Sequence, residues 1–162
     1  MRLRPLWICP RCGAPFVNRN NRHSCGRFPL AALFKGKNPR VWALFRAYRD
    51  FVKKCGPFRV IAQKTRIVFV RRVRFAGVQV RKDYLLAGFW LRRPAKHPLL
   101  KRIYPEFKDI WLYQVKLTDA SQLDDALLAL HEESYHDAGM QEGLTGAKRR
   151  AYVGTAKMGR GR

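Results

Sequence analysis

The stretch RIVFVRRVRFAGVQVRKDYLLAGFWLRR, residues 66–93, decides the fold. Apolar residues recur along it with the two-residue period of β-strands, and Lys82-Asp83 separates two of these strands as a tight hairpin turn. Both faces of IVFV, residues 67–70, are apolar, which predicts a strand in the interior of a sheet. The apolar period of the next strand shifts across Ala76-Gly77, where we expect a bulge or bend.

Strands and helices extend the pattern in both directions. FRVIAQ precedes this stretch and IWLYQVKL follows it as further strands, whereas the proline-punctuated residues 93–105 predict an irregular basic connection. A helix is expected from Asn38-Pro39 to Cys55, after a helical turn in FPLAALF, and another from about Ser121 to Tyr135, capped by Asp119 or Ser121. The expected fold is α+β, with an antiparallel sheet of about five strands flanked by two helices.

A small zinc knuckle is expected in front of this domain. WICPRCGAPFVNRNNRHSCG, residues 7–26, places Cys9 and Cys12 in a Cys-x2-Cys pair, followed by His23 and Cys25 in a His-x-Cys pair. Two residues between the first thiols let a tight turn aim both sulfurs at one point, and Gly13 lets the backbone turn back beneath them. Three thiolates and one imidazole form the ligand set of a closed structural zinc site. We therefore predict zinc as the cofactor.

The cysteines and histidine of this segment have other interpretations. His23 could be a surface histidine, with the fourth ligand supplied from elsewhere in the chain. A redox Cys-x2-Cys pair usually opens a helix beside a βαβ unit, and no helix is expected after Cys12. A disulfide needs an oxidising compartment, and the start MRLRPLW lacks the apolar stretch of a signal peptide. We expect a cytoplasmic protein in which Cys55 is a buried or free thiol.

The composition describes a basic chain that can build a core. Its 162 residues are 47% hydrophobic, enough for one packed domain with a small appendage, and no run is long and apolar enough to span a bilayer. The 34 Lys and Arg against 11 Asp and Glu give a net charge of +23. This charge concentrates polyanions, so nucleic acid and not a membrane is the expected partner. Arginine used for solubility is the alternative.

The charge is also unevenly placed. Residues 1–105 contain 26 basic residues and two acids, whereas residues 106–142 contain the other nine acids. Antiparallel pairing should bring five arginines to one rim of the sheet with little acid nearby, while Lys64, Arg66, Arg81 and Lys82 fall on the opposite rim. With two arginines of the knuckle, the five form the predicted nucleic-acid-binding face: Arg19, Arg22, Arg71, Arg72, Arg74, Arg92 and Arg93.

Contacts of these arginines to phosphate would give binding with weak sequence preference. A rim that merely solubilises the sheet edge accounts for the same residues. The C-terminal residues are rich in glycine and cations and lack apolar periodicity, which predicts a basic disordered tail. The expected organisation is a zinc knuckle at 1–28, an α+β domain at 29–137 and the tail at 138–162.

Catalytic groups do not converge in this sequence. Asp124-Asp125 and Glu132-Glu133 are adjacent pairs on a helix, so the two carboxylates of each pair point about 100° apart. Glu132 and His136 share a helix face but have the spacing of a surface pair. No glycine-rich phosphate loop follows a strand. We expect no catalytic residues, although an enzyme stays among the alternatives.

Four separated motifs connect the chain to a known family. They are WICPRCGAPFVNRNNRHSCG, QKTRI at residues 63–67, VRFAG at 73–77 and FWLRR at 89–93. Over about residues 7–137 the chain resembles a bacterial family known as a domain of unknown function. The resemblance implies an N-terminal Cys/His knuckle followed by a small α+β domain, and it implies no activity.

Three functions are consistent with these patterns. The first is a zinc-containing basic module that binds nucleic acid, mainly through phosphate contacts. The second is a protein-interaction or regulatory adaptor in which zinc is purely structural. The third is a small-acid-binding or enzymatic domain that uses Lys64-Thr65-Arg66, which a preformed apolar pocket beside those residues would support.

Overall fold

The computed structural model of the protein describes residues 3–107 and 110–140, with the backbone alone at residues 102–107. Within these residues, three 3-10 turns accompany the helices and strands, at Leu30–Phe34, Ala120–Gln122 and Ala138–Met140. The helices and strands are β1 (Trp7–Ile8), β2 (Pro15–Phe16), α1 (Pro39–Lys53), β3 (Arg59–Ala62), β4 (Ile67–Val70), β5 (Arg74–Val80), β6 (Leu85–Leu91), β7 (Leu100–Phe107), β8 (Ile110–Leu117) and α2 (Asp125–His136).

The α+β class is confirmed, and the main sheet has six strands where about five were expected. Its order is β3-β4-β5-β6-β8-β7, and every neighbouring pair is antiparallel. All four residues of β4 are buried, as expected of an interior strand. The backbone N–H of Arg81 donates to the carbonyl of Tyr84 at 3.0 Å, which closes the predicted hairpin around Lys82-Asp83.

The strand that sequence reasoning missed is β7. The prolines of this segment predicted an irregular connection, but residues 100–107 pair with β8 along their length. Since β7 is an edge strand, Pro105 can lie in it without removing a hydrogen bond from the sheet interior. A register shift between Pro105 and Phe107 accompanies the proline.

The predicted irregularity of β5 lies one residue earlier than expected. Phe69 pairs with Ala76 and Val70 pairs with Arg74, so Phe75 is the extra residue of a bulge. Phe75 and Ala76 are consequently both buried. Gly77 then approaches β4 closely, since a Cβ atom built on it would lie 2.7 Å from the carbonyl oxygen of Ile67.

Both helices pack on one face of the sheet. The α1 helix begins as expected, with the Asn38 side chain accepting a hydrogen bond from the N–H of Arg40 at 3.1 Å. The second helix begins later than expected, because Asp119 caps a separate 3-10 turn and Asp124 caps α2, where it accepts from the N–H of Leu127 at 2.7 Å. A hydrogen bond of 2.8 Å between Tyr48 and His131 joins the two helices inside the core.

Residues 138–140, which were assigned to the tail, are part of the packed domain. Ala138 and Gly139 are buried in a 3-10 turn. The Gly139 carbonyl accepts hydrogen bonds from the N–H groups of Arg72 at 3.1 Å and Val73 at 3.0 Å. The rest of the predicted tail, residues 141–162, lies outside the described residues.

No helix within residues 3–107 or 110–140 combines the length and apolar character needed to cross a membrane.

Candidate functional site

The four predicted metal ligands come together in the structure. The ligand atoms of Cys9, Cys12, His23 and Cys25 all lie within 4.8 Å of one another. The Sγ atoms of Cys9 and Cys25 are 3.7 Å apart, and Cys12 Sγ is 3.3 Å from His23 Nε2. All three cysteines are free thiols. These side chains form a group that could hold a metal ion.

A two-stranded hairpin positions the first pair of thiols. Strands β1 and β2 pair antiparallel, with Trp7 opposite Phe16. Beyond them the N–H of Cys9 donates to the carbonyl of Ala14 at 2.9 Å, and the N–H of Gly13 donates to the carbonyl of Cys9 at 2.8 Å. Gly13 has a φ of +74°, in the left-handed region that glycine adopts without strain. The turn therefore holds both sulfurs on the same side, as the spacing predicted.

Hydrogen bonding and ring packing orient His23. Its Nδ1 atom lies 2.7 Å from the carbonyl oxygen of Asn21, which can only accept, so Nδ1 carries the proton and Nε2 faces the thiols. The imidazole packs 4.4 Å from the ring of Phe16 and edge-on to Trp7 at 6.3 Å, measured between ring centroids. Sequence reasoning did not assign Trp7 and Phe16 to the site, although their positions on either side of the Cys-x2-Cys turn were a signal.

The thiols differ in their affinity for protons. A hydrogen bond from the backbone N–H of Cys12 lowers the pKa of Cys9 to about 6. Desolvation and the neighbouring thiols raise the pKa of Cys25 to about 11. The Asn21 carbonyl raises the pKa of His23. A bound cation would displace the remaining protons from such a cluster. Metal binding would therefore release protons, and metal affinity would depend on pH.

The fourth cysteine of the chain stands apart from this group. Cys55 follows α1 as a half-buried free thiol, in agreement with its expected role, and burial raises its pKa to about 11. It is not among the residues whose ligand atoms cluster.

The expectation that little acid lies near the predicted arginine rim is wrong. Arg93 makes a bidentate contact to Glu133, with 2.7 Å between Nη2 and Oε2, and this carboxylate raises the pKa of Arg93. Arg92 pairs with Asp137 at 2.8 Å. The sequence separates these acids from the arginines by about forty residues, and α2 returns them to the rim.

The other predicted arginines have varied surroundings. Arg71 lies over the ring of Tyr135 at 4.2 Å and donates to its carbonyl. Arg72 donates to the carbonyl of Arg4, which connects the rim to the N-terminal segment. Arg19 and Arg22 are exposed in the loop that leads to His23.

A second basic surface lies on the sheet face opposite the helices. The inter-strand register places four cations there: Arg59, Arg66, Arg74 and Lys116. No acidic residue occurs anywhere in β3, β4, β5, β6 or β8. Arg74 lies over the ring of Trp90 at 4.3 Å, and Lys116 lies over that of Tyr84 at 4.5 Å. We call this surface the open face of the sheet; Arg74 is the member of the predicted rim that belongs to it.

Comparison with known proteins identifies the main domain. The profile of a family described as a domain of unknown function, DUF5655, matches residues 30–138. The Cys/His group precedes the matched residues. No match was found among curated proteins or among solved structures. Since the matched residues run from the first 3-10 turn to the end of α2 and make up more than half of the chain, the chain belongs to this family of domains of unknown function.

Proposed function

We propose that this protein is a zinc-containing module that associates with nucleic acid, mainly through contacts to phosphate. In this proposal the N-terminal centre is structural and the α+β domain carries the binding surface. We place the protein in the bacterial cytoplasm, where its thiols would stay reduced.

Two distances between donor atoms of the group support zinc. With zinc–sulfur bonds of about 2.3 Å, two sulfurs on a tetrahedron lie about 3.8 Å apart, and a sulfur and a nitrogen lie about 3.5 Å apart. The Cys9–Cys25 sulfur distance of 3.7 Å and the Cys12–His23 distance of 3.3 Å are close to these values. Three thiolates and a histidine whose second nitrogen is already hydrogen-bonded are the donors that suit zinc.

A tetrahedral ion with four protein ligands has no position left for a reacting water. The proposed role of the metal is therefore to stabilise the knuckle. Elemental analysis of protein purified without chelator should give one zinc per chain. Absence of stoichiometric metal, or one iron in its place, would contradict this part of the proposal.

The observation that carries the nucleic-acid proposal is the separation of charge across the sheet. The five strands whose side chains are described contain no acid, and one of their faces carries four cations and is not covered by α1 or α2, the helices of the described residues. Acids gather instead on α2 and its flanks, on the other side of the molecule. A positively charged surface attracts a polyanion and orients it as it approaches.

The ion pairs at the rim also affect which arginines should bind phosphate. Arg92 and Arg93 already contact carboxylates, so phosphate would have to displace Asp137 and Glu133. Arg66 and Arg74 line the open face, which is built mainly from β3, β4, β5, β6 and β8, strands whose sequences contain no acid. The proposed contacts therefore shift from the rim toward the open face, with Arg19 and Arg22 of the knuckle loop as a second group.

A salt series tests this proposal. Binding of a labelled oligonucleotide, followed by fluorescence anisotropy, should weaken steeply with salt, with a logarithmic slope of about 0.9 per neutralised phosphate on duplex DNA or about 0.7 on a single strand. Replacing Arg66 and Arg74 together by Ala should lower the slope by about one to two.

The matched control replaces Arg92 and Arg93 by Ala. It removes the same charge and the same residue type from arginines for which Asp137 and Glu133 compete with phosphate, so the slope should change less. Binding that ignores ionic strength, or no binding at all, would contradict the proposal and favour the adaptor function.

A further inference from the structure

The open face has a depression at its centre. Gly77 of β5 and Gly88 of β6 are directly opposite each other, so two adjacent positions of this face have no side chain. Val68, Leu86 and Leu112 surround the pair with aliphatic groups. The depression measures about 50 Å³ and is open to solvent. Because pockets that enclose small molecules are typically several hundred Å³, this shape suits one planar group of a larger ligand.

Planar groups lie at one end of this depression. Trp90 forms part of its wall, and the guanidinium of Arg74 lies over the indole ring at 4.3 Å. Both groups are half-exposed. Indole rings and arginine planes are surfaces on which nucleobases stack, whatever the base.

The described polar residues that line the depression carry no negative charge. Gln79 and Gln114 lie on its border. The Gln79 amide oxygen accepts from Arg81 at 2.7 Å, so Gln79 offers its NH2 group as a donor, and the amide of Gln114 can donate to or accept from the edge of a base. Arg66 lies at the end of the depression away from Arg74. A second protein would meet an apolar patch that is small and flanked by like charges, whereas a flexible polyanion with exposed bases matches both the apolar floor and the cationic ends.

We infer that the open face binds single-stranded nucleic acid, with one base in the Gly77–Gly88 depression against the Arg74–Trp90 stack and the flanking phosphates near Arg66 and Arg74. This inference rests on the proposed function and deepens it, because it names the form of nucleic acid and the contact that selects it. A duplex keeps its bases stacked inside the helix, so it can reach the cations but cannot fill the depression.

Two variants test the depression without changing its charge. Trp90→Leu removes the stacking surface, and Gly88→Val fills the space, since even a Cβ at Gly88 would lie 3.4 Å from Leu112 Cδ1. Trp42→Leu is the matched control, because Trp42 is an exposed tryptophan on α1, on the helical side of the sheet. Trp90→Phe keeps an aromatic ring and should restore binding. Thermal unfolding identifies the variants that remain folded.

The probes are one labelled strand, as DNA and as RNA, and the same DNA strand annealed to its complement. Wild type should bind the single strands more tightly than the duplex. Trp90→Leu and Gly88→Val should each weaken single-strand binding by about tenfold, the typical loss of one stacked base, and should leave duplex binding and the salt slope unchanged. Trp42→Leu should bind like wild type.

Each outcome decides one question. If folded Trp90→Leu and Gly88→Val bind single strands as wild type does, while binding stays salt-dependent, the depression is not the site and the broader nucleic-acid proposal stands. Equal binding of duplex and single strand by wild type overturns the inference in the same way. If no probe binds, the proposed function falls together with the inference. A difference between the DNA and RNA arms shows which of the two the depression prefers.

Discussion

At the residue scale, His131 shows how the core accepts a polar group. The ring is fully buried, and its Nδ1 atom lies 2.8 Å from the carbonyl oxygen of Leu127, so Nδ1 donates. Its Nε2 atom then accepts from the hydroxyl of Tyr48 at 2.8 Å. Phe89 and Phe51 pack around the ring. Both nitrogens are satisfied while the imidazole is neutral, and a second proton would remove the acceptor that Tyr48 needs.

This neutral histidine predicts a loss of stability in mild acid. Burial lowers the pKa of His131 from 6.5 to about 4, so between these values the unfolded chain binds a proton that the folded chain does not. The free energy of unfolding should therefore fall as the pH falls, by about 2 kcal/mol from this group between about pH 7 and about pH 5. Urea unfolding at the two pH values measures it.

The proposed metal centre would contribute a pH dependence of its own, so the comparison belongs in a Cys12→Ser background. There, a folded His131→Phe variant should show a smaller loss of stability between the two pH values. If the His131→Phe variant loses as much stability between the two pH values as its parent, carboxylates and not His131 cause the pH dependence.

Cys12→Ser alone tests the independence of the two parts of the chain. It should abolish stoichiometric metal binding and increase amide hydrogen exchange in residues 3–28, because one of the four donors is lost. The main domain should stay folded, since its buried core cluster begins at Val41. Cys55→Ser, the same change outside the group, should leave metal content unaltered. Global unfolding of Cys12→Ser would show that the domain depends on the knuckle.

At the element scale, the sequence predicts the strands in which apolar side chains recur with a two-residue period. It does not predict a strand whose proline is compatible only with an edge position in the sheet. The β4 to β6 strands have a clear apolar period and a hairpin between them. By contrast, β7 contains Pro105, and proline in a strand is compatible with an edge position that only the tertiary pairing with β8 establishes. The start of α2 was missed for a related reason: Asp119 and Asp124 both suit a cap, and Leu123 between them packs against the core in a non-helical conformation.

Two glycines in paired strands should respond differently to the same substitution. In Gly77→Ala the new methyl group would meet the Ile67 carbonyl at 2.7 Å, a backbone atom that cannot rotate away, so β4 and β5 must separate. We expect a loss of about 1–3 kcal/mol in the free energy of unfolding. In Gly88→Ala the nearest atom is a side-chain carbon of Leu112 at 3.4 Å, and stability should be roughly unchanged. Urea unfolding of both variants measures the contrast, and equal losses would contradict the close approach at the β5 bulge.

At the scale of the whole molecule, acids concentrate on α2 and its flanks, whereas β3, β4, β5, β6 and β8 contain none. The sequence predicted the concentration of acids from their uneven placement, and it predicted from their spacing that Cys9, Cys12, His23 and Cys25 cluster. It could not predict which arginines face acids, because Arg92–Asp137 and Arg93–Glu133 join positions far apart in the chain. Nor could the sequence predict the Gly77–Gly88 depression, because it depends on the register between two strands.

Removing the acids at the rim should strengthen nucleic-acid binding. Glu133→Gln with Asp137→Asn would release Arg92 and Arg93 from their ion pairs and make them available to phosphate. We expect a higher affinity in low salt and a salt slope larger by about one to two. Asp50→Asn with Asp83→Asn is the matched control, because it changes the net charge equally at positions away from the rim. A slope that rises equally in both variants would assign the effect to net charge and not to the rim.

The strand order also has a consequence for the rate and order of folding. From β3 to β6 each strand pairs with its neighbour in the chain. These hairpins can therefore form one after another, because each closes only a short loop and loses little conformational entropy. Pairing of β6 with β8 is different, because residues 92–109 must close into a loop first. The slowest step of folding should therefore be the docking of the β7–β8 hairpin onto a meander that has already formed, and substitutions in the β6–β8 pairing should slow folding more than those between β5 and β6.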